Sequence, residues 1–205
     1  MVADPAERYA LSFTSGGLLT REAAVLASLY LLERDWGQVR KIAVERNVLQ
    51  ARTSSSSMRV IRETVQRLSV LTGAEITLLA DAGPSERQVL MWAAACRRYS
   101  LIGEFAEEVV RERFLLMTPS LSTEDFDRFL IGKSLWHPEL EELKPSTSKR
   151  LRQNVFRMLQ DAGLRAESGT LVPAVMSERV IEVLSRRTPS DIRFFPTTTS
   201  AGAEQ

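Results

Sequence analysis

A single cysteine, Cys96, a single histidine, His137, and only three tryptophans stand in this chain of 205 residues. One cysteine cannot form an internal disulfide, so a reducing compartment is expected, the cytoplasm. One histidine and one cysteine far apart in sequence provide no zinc-ligand spacing. No Gly-x-x-x-x-Gly-Lys-Ser/Thr and no Gly-x-Gly-x-x-Gly occurs, which removes the usual sequence basis for nucleotide binding. No Gly-x-Ser-x-Gly occurs either, so His137 has no serine-hydrolase context. No cofactor, metal or catalytic activity is expected. The longest apolar run, 23–32, spans ten residues broken only by Ser28, whereas a membrane helix needs about 20. Positions 1–7 carry Asp4 and Glu7 and lack the basic and apolar regions of a secretory signal. A soluble, cytoplasmic monomer with no membrane association is expected.

A strong charge of one sign is also missing. The chain has 27 basic and 26 acidic residues, a net charge of +1. Total charge therefore says nothing of nucleic acid, and any such case rests on local distribution. That distribution is uneven. Positions 46–62 contain Arg46, Arg52, Arg59 and Arg62 and no acid. Positions 144–157 contain Lys144, Lys149, Arg150, Arg152 and Arg157 and again no acid. Each run opens with hydroxyls, Thr53 with Ser54, Ser55, Ser56 and Ser57 in the first, Ser146, Thr147 and Ser148 in the second. Hydroxyls and free amides at a helix start, followed by cations on one face, suit a phosphate backbone.

The periodicity is helical almost throughout, with 44% apolar residues. Thr20 is expected to cap a helix burying Ala23, Leu26, Ala27, Tyr30 and Leu31. Asp35 with Gln38 opens a second, carrying Trp36, Val39, Ile42 and Ala43 inward and stopping at Asn47. A third, over 55–71, turns Met58, Ile61, Val65 and Leu68 to the core and Arg59, Arg62 and Gln66 outward. These make a helix-turn-helix arrangement. Further helices are expected over 74–80, from the Ser85/Gln88 pair (burying Val89, Trp92, Ala93 and Cys96), over 101–117 (Phe105, Val109, Phe114 inward; Glu104, Glu107, Glu108, Glu112 outward), and from Ser122/Asp125 to Pro138 (Phe126, Phe129, Leu130, Trp136). A helix over 147–162, stopped by Gly163, buries Leu151, Val155, Met158 and Leu159. With Lys144, Lys149, Arg150, Arg152, Gln153 and Arg157 it forms the second helix-turn-helix candidate. Ser168-Gly169 between short apolar pieces reads as a small β-hairpin, a wing beside it. Ser177 caps a last helix to about Arg187.

The fold class is thus all-α, a compact multi-helix globule with two helix-turn-helix units. The regions are 1–80 and 84–195, each holding one unit, with a disordered tail over 196–205. Trp36, Trp92 and Trp136 are all expected in the core, and His137 in a structural role. Gly16-Gly17 marks a loop, and the 12–17 loop offers a contact to a partner.

Several segments together resemble one known family: the run from Tyr9 through Phe13 to Leu18, Asp35-Trp36, Arg52-Thr53-Ser54-Ser55-Ser56, Trp92-Ala93 with Cys96-Arg97-Arg98-Tyr99, and the stretch from Lys149 to Leu159. The chain is similar over nearly its whole length to BrxA, the small core protein of bacterial BREX (bacteriophage exclusion) systems. The resemblance implies a cytoplasmic all-helical role in phage defence, beside methyltransferase, ATPase and phosphatase-like components, with other BREX proteins as partners. A further resemblance, suggested for that family, is to the RNA-binding antitermination protein NusB.

The expected function is non-catalytic binding of double-stranded DNA, with Arg59, Arg62 and Gln153 best placed to reach base edges and the other cations on phosphates. The alternatives are an adaptor that scaffolds other defence components, or NusB-like RNA binding. No aromatic stacking pattern interleaves with the basic runs, which disfavours single-stranded RNA.

Overall fold

In the computed structural model, which describes residues 8–13 and 17–198, the chain runs through helices α1 (Thr20–Glu33), α2 (Trp36–Glu45), α3 (Ser54–Leu68) and α4 (Gly73–Asp81). α1 begins at Leu19, which sits at φ 61 with no side-chain cap, so Thr20 is its first helical residue and not its cap. Asp35 caps α2 as expected, accepting from the Gln38 amide at 2.8 Å. Asn47 takes φ 44 just past the end of α2 and accepts from the Ala51 amide, closing the connection before α3. Thr53 caps α3, accepting from the Ser56 amide at 3.3 Å. The connection between α2 and α3 spans 46–53, longer than the roughly 3–4 residue turn of a helix-turn-helix. The three helices nevertheless pack on one another.

The centre of the molecule is α5 (Pro84–Arg98), which packs against α1, α3 and α4. Every residue from Val89 to Cys96 is buried. A helix apolar all round belongs inside a core, and that is why Leu90, Met91, Ala94 and Ala95 join the four inward residues expected from periodicity. Its start is set by Pro84 in the first turn and by Glu86, which accepts from the Gly83 amide at 3.2 Å; Ser85 and Gln88 play no capping part.

After α5 the chain forms α6 (Ser100–Phe105), a π-helical turn (Ala106–Arg111) and α7 (Glu112–Leu115). The wide turn shifts the register by one residue, so Val110 is buried where strict 3.6 periodicity pointed to Val109. Gly103 lets this rod approach α5. A Cβ there would stand 2.9 Å from the Cys96 carbonyl oxygen.

The remainder is α8 (Thr123–Ser134), the short α9 (Pro138–Glu141), α10 (Pro145–Asp161), α11 (Glu178–Ser185) and a 3-10 turn (Asp191–Phe194). Ser122 and Asp125 open α8 as expected, and Gly163 ends α10 at φ 71. Four expectations fail here or elsewhere in the chain. Trp136 is 77% exposed, because α8 ends before it and the chain turns at Pro138. Met58 is exposed too, because it lies beside Arg62 on the outer face of α3. The 164–172 segment makes only isolated bridges, Arg165 with Leu171 and Thr170 with Ser120, and lies against 119–121 through the Leu121–Gly169 and Leu171–Pro119 backbone bonds. Thr197 and Pro196 are buried rather than disordered, since the 3-10 turn is drawn inward by Trp92, whose indole donates to the Phe194 carbonyl at 2.9 Å. The rest of that expected tail, 199–205, lies outside the described residues. Trp36 is half-buried and stacks on Tyr30 at 4.0 Å. Buried residues from Tyr9 to Phe195 form one contiguous cluster, and Ala82, between the two expected regions, belongs to the buried set.

Two buried arginines tie the helices together. Arg97, at the end of α5, donates to both carboxylate oxygens of Glu75 (2.5 and 2.7 Å), to Asp191 (2.6 Å) and to the Val70 carbonyl. Glu75 itself accepts from the Thr72 amide in the capping box of α4. Arg67 of α3 is fully buried, bonded twice to Glu63 and once to the Gly17 carbonyl at 3.0 Å. Tyr99 donates to the same Glu63 at 2.6 Å, and burial followed by that bond pushes its phenol up to about 12.

Removing one member of a buried pair leaves an uncompensated charge. Arg97→Ala should therefore cost about 3–5 kcal/mol in chemical denaturation. Burial opposes ionisation of Glu75, but hydrogen bonds from Arg97 and Thr72 outweigh it and hold the carboxyl below its ordinary value of 4.5. A carboxyl depressed in the folded state contributes stability above its unfolded pKa and loses it as pH falls through the folded one. The melting temperature should thus fall as pH drops below 4.5, and Glu75→Gln should show a flatter acid limb from a lower plateau.

Candidate nucleic-acid interface

The first basic run folds into the start and outer face of α3. Ile61, Thr64, Val65 and Leu68 bury its inner side, which leaves Arg59 and Arg62, one turn apart, pointing to solvent together. Arg52, just ahead of the helix, is exposed as well. None of Arg52, Arg59 and Arg62 has a carboxylate partner among the described residues. Gln66 is half-buried on the same side. Ser54 and Ser55 are exposed at the first turn, and Ser56 is half-buried with its amide already held by Thr53. Ser57 departs from the expected surface. It is buried, and its hydroxyl has no hydrogen-bond partner among the described residues.

The second run forms α10, entered through Lys144 and Pro145 with no side-chain cap on the helix start. Ser146, Lys149, Arg150, Gln153 and Arg157 are exposed along one face, and Thr147 and Ser148 are half-buried. Ser146, Thr147, Lys149, Arg150 and Gln153 line a shallow surface depression. Lys144, Lys149, Arg150 and Arg157 have no carboxylate partner among the described residues. Arg152 does. It is bound to Asp127 and acts as a strut between α10 and α8, so it leaves the set of free cations.

Several arginines elsewhere are spent on carboxylates, whereas Arg21, Arg34 and Arg46, like the cations above, are exposed without a carboxylate partner among the described residues. Arg67, Arg97, Arg113, Arg128, Arg179, Arg186 and Arg193 all hold carboxylates. Sequence reasoning missed Arg40 and Lys41 of α2, which are also exposed and unpaired among the described residues. Glu33, Asp35 and Glu45 surround them in sequence and hide the signal.

α3 and α10 are joined through the N-terminal segment. Arg67 holds the Gly17 carbonyl, Asp161 of α10 accepts from the Leu18 amide at 2.9 Å, and Asn154 donates to the Phe13 carbonyl at 2.9 Å. Tyr9 is buried and packs on His137 with ring centroids 4.0 Å apart, the structural place expected for that histidine. The expected partner loop, 12–17, is only in part described, since 14–16 lie outside the described residues. Cys96 is buried, and burial pushes its thiol well above the ordinary value. Among the described residues no cluster of histidine, cysteine and carboxylates is arranged to hold a metal, and no helix is long and apolar enough to cross a membrane.

The fold and its surfaces describe an all-α protein with two outward-facing cationic helices. A family model described as BrxA matches residues 7–188, and the chain belongs to the BrxA family. The BREX protein BrxA of Escherichia coli O9:H4 (strain HS) is 27% identical over 148 residues, 72% of this chain and 70% of that protein. The BREX protein BrxA of Paramagnetospirillum magneticum (strain ATCC 700264 / AMB-1) is 28% identical over 170 residues, 82% of this chain and 84% of that protein. The crystal structure of an uncharacterized protein from Magnetospirillum magneticum is similar with a TM-score of 0.75 and 25% identity, covering 91% of this chain and 97% of that one.

The rivet between α3 and α10 is open to test at Gly17. Its φ is 91, and a Cβ would stand 3.0 Å from Asp161 Oδ2. Gly17→Ala should cost at least about 1 kcal/mol in urea denaturation, and Gly73→Ala, where a Cβ meets open space, should not.

Proposed function

We propose that this protein is a non-catalytic, double-stranded DNA-binding component of a BREX phage-defence system. Membership of the BrxA family supports the system, since the relatives are BREX proteins. The observation that carries DNA binding is the sorting of cations. Arg52, Arg59 and Arg62 on one surface, and Lys144, Lys149, Arg150 and Arg157 on another, remain exposed without carboxylates among the described residues. Cations left free around helix N-termini suit phosphate contacts. The chemistry asked of these groups is charge neutralisation and positioning, which needs no titrating side chain or metal. Other BREX proteins are further partners.

The adaptor reading draws on a different feature. Leu115, Leu116 and Met117 are exposed in succession at the end of α7, beside the acidic Glu108 and Glu112. Exposed apolar patches of this kind mark protein contacts.

A mobility-shift assay with duplex DNA, single-stranded DNA and RNA separates DNA binding, RNA binding and a pure adaptor role. Duplex affinity should fall steeply with salt, with a log–log slope of roughly −4 to −5 for about four to six neutralised phosphates. A slope near zero removes the basic faces from the interaction. Arg59→Glu/Arg62→Glu should abolish the shift while helical circular dichroism is retained, because both side chains are exposed and neither is bonded among the described residues. Lys149→Glu/Arg150→Glu, which spares the Arg152 strut, should weaken binding comparably if both surfaces hold one duplex, because a second contact in one rigid body adds roughly a hundredfold. Wild-type affinity in that variant would reduce the protein to a single DNA surface.

A further inference from the structure

The turn after α8 holds Trp136 out of the core at an acidic end of the molecule. The amides of Trp136 and His137 both donate to the Lys133 carbonyl at 3.1 Å, so the indole follows directly on the last turn of α8. The Lys133 ammonium reaches Glu104 of α6 at 2.5 Å and Glu108 of the π-helical turn at 2.7 Å. On the other side of Trp136, His137 stacks on Tyr9. The Tyr9 hydroxyl donates to Glu104 at 2.7 Å and its amide to Glu139 at 2.8 Å. Burial, then the Glu104 bond and the negative field of Glu104, Glu108 and Glu139, push the Tyr9 phenol above its ordinary value. Trp136 is thus bracketed in the chain by two residues that sit among carboxylates. α9 packs on α8 and adds Glu141 and Glu142, both exposed with no cation partner among the described residues. The cations paired with these five carboxylates are Lys133 and Arg8, the latter 3.8 Å from Glu139. Lys144 already belongs to the start of α10, and Ile131, one turn back on α8, shares a depression with Pro145, Ser148, Lys149 and Arg152. Both lie outside the acidic end.

Leu135 and Trp136 are each 77% exposed. Tryptophan is enriched at interface hot spots, and one left in water beside a second large apolar residue marks a contact surface. The surrounding charge selects the contact. It repels the phosphates of DNA and RNA and the anionic headgroups of a membrane. The chain's own apolar cationic surface, Met58 with Arg59 and Arg62 on α3, has the complementary sign. A second copy docked that way makes a head-to-tail contact, which builds rings or filaments and not a two-fold dimer. A different, cationic protein needs no such assembly. We infer that Leu135 and Trp136 are the apolar centre of a docking surface for a cationic amphipathic segment of a partner protein, with Glu108, Glu141 and Glu142 as its acidic rim. Apolar residues of that segment cover the indole and supply affinity, while its lysines and arginines meet the carboxylates and set its orientation. The inference does not depend on the DNA-binding reading, because this surface is opposite in sign to the faces of α3 and α10.

The probe is a synthetic helix of about 18 residues built from leucine on one face and arginine on the other, without tryptophan. Its counterpart with glutamate for arginine is the control. The arginine peptide should bind the full chain and the glutamate peptide should not. Trp92 is buried and Trp36 is stacked on Tyr30, so a shift of emission to shorter wavelength that is lost in Trp136→Phe reports Trp136. Trp136→Ala should weaken the arginine peptide on the order of tenfold, as expected for loss of an aromatic anchor. Glu141→Lys/Glu142→Lys should weaken it comparably and, unlike Trp136→Ala, should flatten its salt dependence. All three side chains are exposed, so helical circular dichroism should be unchanged. Duplex affinity and its salt slope should stay at wild-type values in Trp136→Ala. No binding of the arginine peptide, or wild-type peptide affinity in either variant, overturns the surface. Loss of duplex affinity in Trp136→Ala overturns it in favour of nucleic acid. Self-association in sedimentation that Trp136→Ala abolishes overturns it in favour of a second copy.

Discussion

The buried guanidinium of Arg97 is the interaction on which most of the architecture depends. It closes the C-terminal turn of α5 onto Glu75 in the cap of α4 and onto Asp191 in the 3-10 turn. Three stretches far apart in sequence therefore meet at one side chain. A planar, always charged group with five donors suits such a junction better than an ammonium would. Burial alone would disfavour the carboxylates, and the bonds from Arg97 and Thr72 reverse that at Glu75. Arg67 repeats the device on the other side of the core. It pairs with Glu63 and pins Gly17, which in turn sits against Asp161 of α10.

A nearly neutral chain can still present basic surfaces. Several of its carboxylates are held by cations inside the fold or along its edges, as with Glu75, Asp191, Glu63, Asp125 and Glu86. Glu86 shows the tendency at the surface, where hydrogen bonds from Arg179 and Ser177 hold it down at about 2. Each such pair uses a cation as well as a carboxylate, so the basic faces of α3 and α10 come from where unpaired cations stand together, which net charge alone does not reveal.

The helical units were legible because apolar residues recur with the helical period and because caps are local chemistry. Asp35, Asn47, the Ser122/Asp125 pair and Gly163 act where their types predict. Cap assignment went wrong at Thr20 and Ser85, where a neighbouring residue, Leu19 or Pro84, sets the boundary. The expected wing shrank to isolated bridges because 164–172 spends its backbone bonds partly on 119–121, a partner outside its own hairpin. Most candidate site residues proved exposed. Ser57 and Arg152 did not stay free, because a helix face shared with the core or with Asp127 is invisible without the neighbouring helix.

The amino-acid sequence by itself determined the all-α class, most helix starts and stops, the two acid-free basic faces and the BrxA resemblance that the family match bears out. Each of these rests on periodicity, local capping or local composition, which act within a few residues. Only the tertiary structure decided which charges are spent and which are free, since pairing joins residues as distant as Arg97 and Asp191. It alone turned Trp136 outward, because a helix end and the turn at Pro138 set its direction rather than its hydrophobicity.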